Sequence, residues 1–128
     1  MNRLRFALRA TGVVQLFFGS LFVIAPGLTA DVLQTRTTEP GWVDWLFVMM
    51  GARFIGYGLG MFVAARDPRR HLAWIDTMIV VQALDWASTL GFLLAGDVTL
   101  RNVTSAAVLP PLIIAALVWW HPRRAGEV

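Results

Sequence analysis

The chain has 128 residues, 57% hydrophobic and 15% charged, with no cysteine and no lysine. Soluble domains carry roughly 25% charged residues, and here the apolar residues fall in blocks instead of alternating with polar ones, so a soluble globular domain is a poor fit. The absence of cysteine excludes disulfides, thiolate metal sites and cysteine-based catalysis. The net charge of +3 comes entirely from arginines over acids. Those arginines gather at the ends of apolar blocks and form no continuous stripe, which argues against a nucleic-acid partner. Exclusive use of arginine points to a GC-rich bacterial source.

Four apolar segments follow one another, each near the roughly 20 residues that cross hydrocarbon. The first runs from about Phe6 to Ala25 and stops at Pro26-Gly27. Its basic start, apolar run and Leu28-Thr29-Ala30 resemble a cleavable signal peptide. Gln15 inside the run is unusual for a signal core and favours a true first span. The second segment runs from Trp45 to Ala65, the third from Leu72 to Ala95 and the fourth from Val103 to Trp120. Short connections favour antiparallel neighbours. The predicted fold is therefore all-α: one integral membrane four-helix bundle spanning 1–128, with an up-down-up-down path.

Arginine placement orients this bundle. With the N-terminus inside, the cytoplasmic ends hold Arg3, Arg5, Arg9, Arg66, Arg69, Arg70, Arg123 and Arg124, against Arg36 and Arg101 on the other side. Such asymmetry over short loops predicts both termini in the cytoplasm. Trp42 and Trp45 then mark the outer interface, and Trp74, Trp119 and Trp120 the inner one.

Arg53 stands inside the second span. A guanidinium cannot lose its proton, so in hydrocarbon it needs a carboxylate, a water-filled cavity or a ligand. Ala52, Gly56, Gly60 and Ala64 recur every four residues around it, a small-residue ridge that lets a neighbouring backbone approach closely. Arg53, Gly56, Tyr57 and Gly60 share one helical face, which predicts that the arginine points into the bundle. At 1.5 Å per residue, Arg53 lies about 12 Å from the outer end of its span and Asp85 about 15 Å from its own. The two are predicted to meet near mid-membrane. Gln82, Ser88 and Thr89 extend a polar stripe from Asp85. Gln15 reaches about the same depth, flanked on its face by Gly12 and Gly19. In the fourth span Pro110-Pro111 frees the carbonyls of Ala106 and Ala107.

These residues define a candidate ligand site of Gln15, Arg53, Tyr57, Gln82 and Asp85 beside the Pro110 break. Two main readings stay open. The Arg53–Asp85 pair is a satisfied ion pair that fixes helix register, or the arginine binds an anionic or carbonyl-bearing amphiphile in a polar pocket. A proton path carried by Asp85 is a weaker third. Asp76 is expected to form an interfacial salt bridge with the loop of Arg66, Arg69 and Arg70. His71 and His121 read as solvated interfacial histidines, with bis-His haem or metal ligation as the rarer alternative. No Ser/His/Asp grouping, phosphate-cradling loop or metal-ligand run is present, so no catalytic residue and no metal is assigned, and no cofactor is specified.

The first span ending in VIAPG, together with GARFIGYGLGMFVAARDPRR, resembles the bacterial DoxX-like four-helix membrane proteins and the similar BphX-like proteins. The resemblance covers most of the chain as an architecture, carried by glycine-driven motifs. Some members are membrane subunits associated with quinone-linked oxidoreductases, which implies a lipophilic quinone or a protein partner here. No catalytic pattern of the group carries over.

The combined expectation is a multi-pass protein of the bacterial inner (cytoplasmic) membrane, more a binding or accessory subunit than an enzyme. Its intramembrane polar pocket would hold a lipophilic ligand, quinone or lipid-like, or serve a partner membrane protein. The alternative is a membrane enzyme or proton-coupled transporter using Arg53 and Asp85 directly. A homodimer or a larger membrane complex is compatible with the exposed end of the small-residue ridge.

Overall fold

The computed structural model describes residues 1–28, 42–124 and 126. Thr29 and Ala30 of the signal-like site, Arg36 and the Trp42 side chain lie outside them. Among the described residues four long helices follow in chain order: α1 (Asn2–Ile24), α2 (Trp42–Arg66), α3 (Leu72–Ala95) and α4 (Thr104–Trp119), and residues 26–28 are also helical. The described residues contain no strand. The helical bundle agrees with the sequence reading, and the third span matches to the residue. The first helix begins four residues before the expected Phe6.

Local chemistry ends each helix. Ala25 closes α1 by donating to Leu21, and Pro26, which has no amide hydrogen, follows. Asp67 precedes Pro68, a position biased away from helix, so α2 ends at Arg66. Gly96 closes α3 with φ of 82°, a left-handed conformation suited to glycine. Its amide donates to Leu93 while that of Asp97 reaches Phe92, which satisfies two of the last carbonyls of the helix.

The helices form two antiparallel pairs. The α1–α2 pair packs more extensively than any other, and α3–α4 is the second; α1–α4 and α2–α3 contacts join them more lightly. Glycine sets the first seam. Gly12 and Gly19 on α1 face Gly58 and Gly51 on α2, and a Cβ at Gly51 would lie 2.7 Å from the Gly19 carbonyl oxygen. A Cβ at Gly12 would lie 3.1 Å from the Gly58 oxygen. The same seven-residue spacing on both helices holds one register along two turns. Close backbone approach of this kind is how helices associate without a hydrophobic driving force.

This seam corrects the expected ridge. Of Ala52, Gly56, Gly60 and Ala64, only the last two are buried. Gly60 lies against the Trp74 ring of α3 and Ala64 in the core, whereas Ala52 is exposed and a Cβ at Gly56 would meet nothing within 4 Å. The buried stripe follows Gly51, Gly58, Met61 and Ala65 instead. Arg53 is two residues, roughly 200° of helical rotation, from Gly51 and so falls on the opposite side.

The core occupies one end of the bundle. Leu4 and Leu8 of α1, Met61 of α2, Ile75 and Met78 of α3 and Leu117 of α4 are all fully buried there. Tyr57, Ile113 and Trp120 pack against this cluster. The same end carries the arginines from the start of α1, the α2–α3 turn and the stretch after α4.

Away from that end, a long-range hydrogen bond ties the α3–α4 pair. Trp86 Nε1 donates to the Ala107 carbonyl at 3.0 Å. Pro111 cannot donate to Ala107, so the indole of α3 supplies what the helix lacks.

The outward surfaces remain apolar. Leu94 is 90% exposed, Ile24 82% and Phe6 73%. A water-facing bundle would turn its polar side outward. The helices α1, α2 (from Val43) and α3 are each long and apolar enough to cross a membrane, while α4, at 16 residues, is shorter.

Candidate functional site

Beyond the packed end the two helix pairs diverge around a cavity of about 330 Å³. All four helices line it. The first contributes Gln15 and Phe18, the second Met50 and Phe54, the third Gln82 and Asp85, and the fourth Ala106 and Pro110. Its size falls in the usual range for small-molecule sites, and its wall is mostly apolar with a few converging polar groups.

Gln15 and Gln82 form the deeper polar part. They are 6% and 3% exposed. Gln82 Nε2 donates to the sulfur of Met78 one turn below, at 3.4 Å, a weak acceptor. The Oε1 atom of Gln15 is buried and has no hydrogen-bond partner. Buried polar atoms are rarely left so, because the desolvation of an unsatisfied acceptor costs about 1–3 kcal/mol. Asp85 and Ser88, one and two turns along α3 from Gln82, are exposed and mark the mouth. Thr89 is turned back on its own helix, its hydroxyl donating to the Asp85 carbonyl at 2.9 Å. Pro110 is buried against the cavity and leaves the Ala106 carbonyl without its helical donor. Three phenylalanines complete the apolar wall. The Phe22 ring lies 5.5 Å from Phe54 and 6.3 Å from Phe18, centroid to centroid.

The structure thus brings together Gln15, Gln82 and Asp85, three of the five predicted ligand-site residues. It does not bring Arg53 or Tyr57 to them. Arg53 is exposed, and its Nη1 donates to the Met49 carbonyl one turn back on α2, at 3.0 Å. No ion pair joins it to Asp85, and it does not line the cavity. Tyr57 packs against the closed core instead. The expectation of an inward arginine paired at mid-depth is therefore corrected. The side of α2 buried by the glycine seam is not the side that carries Arg53.

This separation has an energetic consequence. Residues without contact give nearly additive stability changes, whereas a buried ion pair leaves a penalty when one partner is removed. The Arg53→Leu and Asp85→Leu changes are expected to add within about 0.5 kcal/mol in a double-mutant cycle of detergent unfolding. A coupling of about 3 kcal/mol would restore the ion pair.

The other polar cluster lies at the closed end. Asp76 of α3 accepts from His121 Nε2 at 2.9 Å and from Arg123 Nη2 at 3.2 Å. His121 Nδ1 in turn accepts the backbone amide of Arg123 at 3.2 Å, so the tautomer with hydrogen on Nε2 satisfies both ring nitrogens. Asp76 makes the expected interfacial contact, but with the segment after α4 and not with the α2–α3 turn. That turn closes on itself through Arg70 and Asp67 at 3.3 Å, and His71 Nδ1 lies 2.9 Å from the Asp67 carbonyl. His71 and His121 are thus engaged separately. Among the described residues no group of three or more His, Cys, Asp or Glu could hold a metal ion.

Two features that position the site were not among the sequence candidates. Gly51 and Gly58 set the seam, and their spacing repeats that of Gly12 and Gly19. Trp86 is the one tryptophan away from either expected interface, and the carbonyl freed by Pro111 is a signal for its donor. In comparisons with known proteins, no family model, no curated protein and no solved structure matches the chain.

Proposed function

We propose that this chain is a small multi-pass protein of the bacterial inner membrane, with both termini cytoplasmic, that binds a lipophilic ligand between its helix pairs. The cavity carries this reading. It has ligand size, aromatic and aliphatic walls, and a buried Gln15 oxygen without a hydrogen-bond partner among the described residues. Membrane residence is supported by three helices of spanning length and by apolar side chains on their outward faces. The inner assignment of the closed end rests on its arginines. The role is that of a binding or accessory subunit, a reading supported by a mostly apolar wall with a few converging polar groups. A DoxX-like or BphX-like affiliation belongs to this proposal, and with it a quinone or lipid-like occupant and a partner oxidoreductase.

Direct chemistry through Arg53 and Asp85 loses its basis when the two do not meet. Extraction in a mild detergent followed by mass spectrometry of bound small molecules and proteins tests the proposal. A stoichiometric lipophilic molecule is the expected result. A protein partner with no small molecule would replace the ligand reading with an assembly role, and an absorption band of haem would contradict both.

A further inference from the structure

The displacement of Arg53 changes the sign of the site. With the arginine inside, the pocket would favour an anionic or carbonyl-bearing ligand. With Arg53 outside, Asp85 is the one ionisable residue lining the cavity among the described residues. Its carboxylate makes no ion pair with any described residue, and the nearby Thr89 hydroxyl is committed to the Asp85 backbone carbonyl.

Several of the remaining polar atoms are acceptors, while the Ser88 and Ser105 hydroxyls can act either way. Gln15 Oε1 is buried without a partner, and the Ala106 carbonyl lacks the amide that Pro110 cannot provide. Amide orientation could exchange the two ends of Gln15, but the backbone carbonyl and an ionised Asp85 carboxylate accept whichever way the amide is turned. The Gln82 amide is already directed to Met78. The rings of Phe18, Phe22 and Phe54 line the same cavity. Aromatic faces attract cations electrostatically, and more so where water is excluded. A carboxylate in such surroundings is itself costly without a counter-charge.

We propose that the cavity takes a lipophilic organic cation, an ammonium group on an apolar body, with Asp85 as its counter-ion and the phenylalanines around its charge. This rests on the reading of the cavity as a ligand site. It replaces a neutral quinone with a cationic amphiphile as the favoured occupant.

Three small probes of similar shape separate the possibilities: benzyltrimethylammonium, its uncharged isostere neopentylbenzene, and phenylacetate. Binding is read by ligand-observed NMR on the full chain in lipid nanodiscs. Saturable binding of the ammonium in preference to the other two is expected. It should weaken roughly thirtyfold in Asp85→Asn and recover in Asp85→Glu, with the near-ultraviolet dichroism of the tryptophans reporting that each variant is folded. The ranking of probes on the unaltered chain requires no variant. Equal or tighter binding of the neutral probe, binding of phenylacetate in place of the cation, or unchanged affinity in folded Asp85→Asn overturns the proposal. If neopentylbenzene binds and is blocked by Ala106→Trp while the ammonium does not bind, the cation assignment fails and the cavity stands. If none of the three binds, both fall.

Discussion

Gly51→Ala is expected to destabilise the bundle by about 1–3 kcal/mol, although alanine is the better helix former. Its Cβ would lie 2.7 Å from the Gly19 carbonyl oxygen and 2.8 Å from the Phe22 Cβ, so the α1 backbone must retreat. No flexible side chain can absorb the whole clash. Gly56→Ala, five residues along the same helix, is the matched control. Nothing lies within 4 Å of its Cβ position, and the change should be neutral or stabilising by up to about 1 kcal/mol. Unfolding in mixed micelles, followed by tryptophan fluorescence, measures both. Equal midpoints for the two variants would place the seam elsewhere on α2.

Leu117→Ala should cost about 2 kcal/mol or more, and Leu109→Ala distinctly less. The first leucine is fully buried where all four helices converge, so its removal leaves a void that close-packed neighbours cannot fill. The second already borders the cavity, and shortening it only enlarges existing space. Lipid is as apolar as leucine, so the lost packing contributes more of the difference than lost burial from water. The same unfolding assay compares the pair. A larger loss at Leu109 would reverse the assignment of closed and open ends.

The two ends divide the labour of the fold. Packing at the arginine-bearing end keeps the pairs together, and the Asp76–His121 contact adds a polar tie there. The glycine seam runs further along α1 and α2 and keeps their mutual distance short. Trp86 does a related job for α3 and α4 by meeting the carbonyl that Pro111 leaves unbonded. Held in this way, the pairs separate around Gln15, Gln82 and Asp85 without a side chain large enough to fill the space.

Helices were legible because their signals are local. Block hydropathy, Pro26, Pro68 and Gly96 mark where apolar segments end, and the third span was placed to the residue. The depth of polar residues was legible too, since rise per residue is fixed, and Gln15, Gln82 and Asp85 do reach one cavity. Rotation was the harder quantity. The second helix is apolar around most of its circumference and carries small residues on two neighbouring stripes. Periodicity alone could not choose between Ala52-Gly56-Gly60-Ala64 and Gly51-Gly58. The choice depended on α1, where Gly12 and Gly19 supply the complementary spacing. Arg53 followed from that error: it was expected on the buried side of α2, whereas it is exposed, with Nη1 donating to the Met49 carbonyl. The partner of Asp76 was missed for a similar reason: a nearby turn in sequence was favoured over the more distant segment after α4.

The most direct test of the ligand cavity compares the native chain with Ala106→Trp by native mass spectrometry after gentle extraction. Ala106 lies on the cavity wall, and an indole there would occupy the space without touching the closed core. The expected result is a bound hydrophobic molecule on the native chain and none on the folded variant. Equal occupancy of the two, or a native chain that emerges empty, would contradict it.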